Sequence, residues 1–231
     1  MNIITDRNTS NIQKLAIVCA DIYEYTKLTN QDQITTHKNL KERFKKIKNI
    51  IDKNNGTIIR MLGDSILISF EHARNAIYCA AEIQRASYAH NFKLDLNQEL
   101  LFRIGISYGE VICENDEPFG NAVNIAKRLE ELAKPGGIYV AHDVHDSLDI
   151  ELPFPTNFRG KIRVKNINDA VIVHEISQYE PLSIKKNNKT LFNHPIDRSY
   201  LGTLSILVLA TSIIVLAIAV VILISTISIL N

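Results

Sequence analysis

Apolar residues in this chain change their spacing in a regular order, and each spacing predicts an element. Residues 14–20, KLAIVCA, form a short continuous apolar run ending at Asp21, as a buried strand does. From Asp32 to Asn54 the rhythm lengthens. Ile34, Leu40, Phe44, Ile47 and Ile51 recur at helical steps among Lys and Asn, which predicts an amphipathic helix. Asn54-Asn55-Gly56 should stop it, because Asn and Gly tolerate the left-handed conformation at a helix end. TIIRML and SILISF follow, separated by Gly63-Asp64, the spacing of a tight hairpin with Gly in the first turn position. Residues 72–90 read as a helix with Ala76, Ile77, Ala80, Ala81 and Ile83 near one face. LFRIGISYG and EVICE read as two strands around a glycine. Residues 119–133 read as a helix halted by Pro135-Gly136-Gly137, IYVA as a strand, and AVIVHEI (170–176) as the last strand.

Strand–helix–strand–strand–helix–strand, with further elements appended, predicts an α+β fold in which helices pack on a mainly antiparallel sheet. Residues 1–13 form an N-terminal extension to this body, which runs over 14–177. Beyond it the character of the chain changes. No Asp, Glu, Lys or Arg follows Arg198, and residues 200–230 are apolar apart from scattered Ser, Thr and Gly. About 20 apolar residues in a helix cross a bilayer core of about 30 Å. The stretch therefore predicts a transmembrane helix, tilted or extended into the interface because it is longer than needed. Only Asn231 follows, so insertion after synthesis as a tail anchor, in contact with membrane lipid, is expected. Residues 178–199 carry Pro181, Pro195 and a Lys/Asn run and read as a polar linker. Lys185, Lys186, Lys189 and Arg198 lie on the near side of the span, which predicts a cytoplasmic body.

Composition narrows the function classes. With 26 Lys+Arg against 25 Asp+Glu the net charge is +1, without the basic excess of a nucleic-acid binder. Cys19, Cys79 and Cys113 are odd in number and far apart, so they predict small buried hydrophobes in a reducing compartment, not a disulfide framework. His142 and His145 stand three apart, yet no third ligand follows at metal spacing. That predicts a surface helical turn and not a zinc site.

Two acids are placed unusually. Asp21 follows a strand too apolar to be exposed, and Asp64 occupies a hairpin tip. Each alone reads as a capping or turn residue. In a βαββαβ arrangement, however, the first strand and the hairpin are neighbours, and paired carboxylates at one sheet end suit Mg²⁺. In GNAVNIAKRLEELAKPGG, Asn124 and Arg128 are four apart on one helix face, an amide and a guanidinium suited to a ribose and a phosphate. No GxxxxGK[ST] loop is present.

The stretches LAIVCADIYEYTKLT, IIRMLGDSILISF, LFRIGISYGEVI, FGNAVNIAKRLEELAKPGGIYVA and FRGKIRVKNINDAVIVHEI run in one order from residue 14 to 176. Together they resemble a class III nucleotidyl cyclase catalytic domain of the bacterial adenylate cyclase kind. The resemblance implies a ferredoxin-like βαββαβ core. It implies that Asp21 and Asp64 bind two Mg²⁺ or Mn²⁺ ions per site, with the backbone around residues 22–25 near the triphosphate. It gives Asn124 the ribose and Arg128 the transition-state phosphate. In the family the metal pair and the Asn/Arg pair come from different protomers, which implies a homodimer. The base-reading positions hold Arg60 and Glu117 where adenylate cyclases usually have Lys and Asp. Adenine fits this donor and acceptor, but guanine and cytosine present suitable edges too. The expected reaction is conversion of a nucleoside triphosphate, ATP by family frequency, to the 3′,5′-cyclic monophosphate and pyrophosphate. The alternatives are a cyclase using GTP or a pyrimidine nucleotide, and a degenerate nucleotide-sensing module that signals through the membrane helix.

Overall fold

Asp21 lies inside the first strand, not after it. The computed structural model describes residues 11–114, 117–148, 154–164, 167 and 170–177. In it β1 (Asn11–Ile22) leads into α1 (Tyr25–Gln31) and α2 (Gln33–Lys53), then the hairpin of β2 (Thr57–Leu62) and β3 (Ser65–Phe70), and α3 (Ala73–Asn91). There follow β4 (Phe102–Glu114), β5 (Glu117–Phe119), α4 (Asn121–Leu132), β6 (Ile138–Ala141), α5 (His142–Asp146), β7 (Thr156–Ile162) and β8 (Val171–Ile176). Sheet order is β2-β3-β1-β4-β6-β8-β7, with β5 on the side of β4. The first four strands pair antiparallel, and β4 with β6 is the parallel pair. The α+β architecture with a mainly antiparallel sheet is therefore as expected.

The middle of β1, residues 15–20, is apolar because both of its faces are covered there. Ala16, Val18, Ala20 and Ile22 join a core with Leu40, Ile47 and Ile51 of α2 and Ala76, Ile77, Ala80 and Ile83 of α3. On the other face Ile17 and Cys19 meet Val111 of β4 and Ala122 and Ala126 of α4. Cys19 and Cys79 are buried free thiols, and burial pushes both up to about 12.

Several sequence expectations shift. LFRIGISYG and EVICE are one strand of 13 residues, continuous through Gly109, because β1 pairs with it along its whole length from Phe102 to Cys113. Asp32 caps α2, its Oδ1 accepting from the Thr35 amide at 3.0 Å, so Ile34 falls in the first turn and stands 84% exposed. Arg43 is fully buried instead and donates to Asn91 Oδ1 at 2.9 Å. At the end of α2 it is Asn55 that turns left-handed (φ 56°), while Gly56 lacks a side chain because Phe70 and Ile51 press against it. The strand β7 adds an edge that the apolar pattern did not announce. Among the described residues no helix is long and apolar enough to cross a membrane. The N-terminal extension up to residue 10, the linker at 178–199 and the apolar stretch at 200–230 lie outside the described residues.

Candidate active site

Register sets the site. Asp21 on β1 stands directly opposite Arg103 on β4, and the guanidinium grips the carboxylate with both prongs, Nε to Oδ1 at 3.0 Å and Nη2 to Oδ2 at 2.6 Å. On the other side Ile66 of β3 stands opposite Ala20, so the β2–β3 turn reaches the end of β1. Gly63 supplies the positive φ of 60° that the tight turn needs, and Asp64 follows it. The backbone of Ile22 is close enough to the Asp64 carboxylate to favour its charged form. Burial, with the Asp21 charge adding to it, pushes the Asp64 carboxyl above its ordinary range. The two acids thus meet at one end of the sheet and repel. Immediately beyond, Glu24 holds a left-handed φ of 53° at the entry to α1, a strained conformation for a residue with a side chain.

Helix α4 brings further charges over the pair. It can approach because residue 105 of β4 is glycine: a Cβ there would overlap the Ala126 carbonyl oxygen and the Glu130 amide nitrogen. Ser107 fastens the same contact, its hydroxyl donating to the Ala122 carbonyl at 2.5 Å. Glu130 is thereby carried down onto the site, its side chain 1% exposed and its Oε1 3.3 Å from Arg103 Nη2. Burial first, then the neighbouring Asp21 carboxylate, pushes Glu130 up to about 8, while its ion pair with Lys127 pulls the other way. Asp21 is only 8% exposed, but the side chains gripping and flanking it are polar. Oxygen donors in mutual repulsion, one of them held toward its protonated form, fit a hard divalent cation.

Sequence reasoning located Asp21 and Asp64 but passed over Arg103, Lys127 and Glu130. A signal existed for two of them. Arg103 interrupts an apolar strand, and Glu130 falls four residues after Ala126 on the helix stripe that also carries Ala122.

Asn124 and Arg128 project from the solvent face of α4, opposite the stripe of Ala122, Ile125, Ala126, Leu129 and Glu130. The Arg128 guanidinium pairs with Glu131 at 3.0 Å, and its side chain is 47% exposed. Neither residue is on the buried stripe that carries Glu130 to Asp21. Arg60 and Glu117 do meet. A bulge in β2 between Ile58 and Arg60 resets that side chain, and its Nη2 lies 2.6 Å from Glu117 Oε2 on β5. Near Glu117 the surface is apolar: Ile12, Ile112 and Phe119 are cross-strand neighbours on β1, β4 and β5 and are 64%, 41% and 48% exposed.

Known proteins resemble this chain in sequence and fold. The model of the adenylate and guanylate cyclase catalytic domain matches residues 8–179. A curated protein of Rhizobium meliloti (strain 1021), called putative adenylate cyclase 3, is 32% identical over 157 residues, which is 68% of this chain and 27% of that protein. The chain therefore spans about a quarter of that relative's length. Among solved structures, an adenylate/guanylate cyclase/hydrolase from Silicibacter pomeroyi aligns with a TM-score of 0.65 and 32% identity, over 73% of this chain and 98% of that one. The adenylyl cyclase CyaB from P. aeruginosa aligns with a TM-score of 0.67 over 73% of this chain and 95% of that one; at 20% identity this likeness concerns the fold. The chain belongs to the family of adenylate and guanylate cyclase catalytic domains, whose enzymes are lyases acting on phosphorus–oxygen bonds.

Proposed function

We propose that the chain converts ATP to the 3′,5′-cyclic monophosphate and pyrophosphate as a homodimer in the cytoplasm, anchored to membrane lipid by residues 200–230. The observation that carries this reading is the meeting of Asp21 and Asp64 at one end of the sheet, with the Asp64 carboxyl held up partly by its neighbour's charge. Asp21 and Asp64 would hold two Mg²⁺ or Mn²⁺ ions, which supply Lewis-acid charge that eases deprotonation of the ribose 3′-hydroxyl and neutralises the triphosphate. Each Asp21 oxygen accepts one bond from Arg103 and keeps a lone pair with which it would ligate, and the guanidinium would add positive charge beside the phosphates.

Asn124 would orient the ribose, and Arg128 would stabilise the charge that develops on the transferring phosphorus. Comparable arginines contribute about 10³ to 10⁵ in rate. Because both residues leave α4 on its solvent face, they would serve the acids of a second copy. The apolar patch of Ile12, Ile112 and Phe119 supplies surface for that contact. Arg60 and Glu117 would present a donor and an acceptor to N1 and the amino group of adenine. ATP is chosen because the Rhizobium meliloti relative is called a putative adenylate cyclase.

A second reading, nucleotide sensing without turnover, draws on the closed pairs Arg60–Glu117 and Asp21–Arg103, each satisfied without a substrate. Incubating the full chain in detergent with each of the four nucleoside triphosphates and Mg²⁺ or Mn²⁺ separates the two. Cyclic product from ATP is expected, and Asp21→Ala or Asp64→Ala should each reduce it to background while the protein stays folded. Nucleotide binding without any cyclic product would favour the sensing module. A cyclic product from another nucleotide alone would transfer the same mechanism to a different base.

A further inference from the structure

Three imidazoles gather where β6 runs into α5, away from the level of the acids. Ile138 of β6 stands beside Ile104 of β4, one residue from Arg103, and β6 then runs away from that level into α5. His142 and His145 lie on that single turn of helix. The sequence offered no third ligand, but β8 brings one: His174 stands opposite Val140, two residues before His142. Ring centroids are 5.3 Å apart for His142 and His174, 5.7 Å for His145 and His174, and 6.0 Å for His142 and His145.

A carboxylate joins them. His142 Nε2 lies 3.4 Å from Asp146 Oδ2, and His145 Nδ1 lies 3.7 Å from Asp146 Oδ1. One ligand atom from each of His142, His145 and Asp146 falls within 4.8 Å of the others. Meanwhile His142 Nδ1 and His174 Nε2 are shut off from solvent with no hydrogen-bond partner. A buried imidazole nitrogen without a partner is costly, and a metal would relieve that cost at His174 Nε2, whereas His142 faces Asp146 through its Nε2.

We propose that His142, His145, Asp146 and His174 form a binding site for one divalent transition metal of the zinc class, separate from the catalytic acids. The dimensions suit it. In a tetrahedral centre with metal–nitrogen bonds of about 2.0–2.1 Å, neighbouring ligand atoms stand about 3.3–3.4 Å apart and imidazole centroids about 5 Å apart. The cluster therefore needs to contract by an ångström or less at its widest ring separation. Imidazole-rich sites select zinc, cobalt, nickel or copper, whereas Mg²⁺ prefers all-oxygen sites, so this metal is not the one the substrate brings. When bound it would tie α5 to β8.

The test uses the full chain in non-denaturing detergent, stripped with chelator and dialysed, with millimolar Mg²⁺ present to compete at the catalytic acids. Titration with Zn²⁺ should load one ion per chain and raise the melting temperature, and Co²⁺ should give the visible absorption of a nitrogen-ligated tetrahedral ion. Asp21→Ala should leave all three responses in place. His145→Ala and His174→Ala should each weaken Zn²⁺ binding at least about tenfold, since even outer-shell partners of ligands are worth about 10- to 100-fold. His145 is half exposed, so its variant keeps the fold, checked by melting in chelator at the wild-type temperature. Zn²⁺ binding unchanged in both His variants, lost in Asp21→Ala, or absent from the wild type would overturn the proposal.

Discussion

Glu130 sits on the buried stripe of α4, between Lys127 and the Asp21–Arg103 pair. Both it and Asp64 hold their protons more tightly in the folded protein than in the unfolded chain, Glu130 with a value of about 8. Across the window from the ordinary carboxylate range up to about 8 the folded state therefore binds more protons. The stability these groups contribute is complete at acid pH and is lost as pH rises through that window. Metal-free protein in chelator should accordingly lose melting temperature between about pH 5 and pH 8. Glu130→Gln, which keeps the shape and removes the titration, should flatten that decline. Equal slopes for the two proteins would show that Glu130 is ionised throughout. At this scale the sequence was legible where turn chemistry spoke: Gly63 marks the hairpin, and Asp64 follows from it. Arg103 and Glu130 were hidden because a single charge in an apolar run looks like a solvated exception until the partner strand or helix is known. His174 was hidden for a related reason. Its partners lie on another element, and no local spacing records a pairing made across the sheet.

The contact of α4 with β4 is what holds these side chains in register. Gly105 allows it, and the atoms that a Cβ would meet are backbone atoms of Ala126 and Glu130, which cannot swing aside. Gly105→Ala should therefore lift α4 from the sheet, cost about 1–3 kcal/mol in urea unfolding and lower catalytic turnover sharply. Gly109→Ala is the control, because its Cβ would only touch that of Ala122 at 3.5 Å. A stable, fully active Gly105→Ala protein would show that the close approach is dispensable. The same strand shows where pattern reading fails for elements. A glycine amid polar residues looked like a break, yet β1 pairs through Gly109 without interruption, since a long partner strand outweighs one weak propensity. The edge strand β7, TNFRGKI, was overlooked because one edge and an exposed face leave it few apolar positions.

For the whole molecule, the order of apolar runs was sufficient to predict the α+β sheet, because each buried strand and helix stripe carries its own period. What no period encodes is a second chain. The tail and the partner are accordingly the two proposals that need the intact protein. Ending the chain after residue 199 should move it from the membrane fraction to the soluble fraction on cell fractionation; retention at the membrane would deny residues 200–230 the anchoring role. The central claim is that one copy supplies Asp21 and Asp64 while the other supplies Asn124 and Arg128, and mixing inactive variants tests it most directly. Asp21→Ala and Arg128→Ala proteins, each inactive alone, are combined in equal amounts under conditions that exchange subunits, and cyclic nucleotide formation is measured. Half of the dimers are then mixed and each regains one of two sites, so roughly a quarter of wild-type activity should return. If the mixture stays as inactive as its components while the wild type turns over, the site is completed within one chain and the account is wrong.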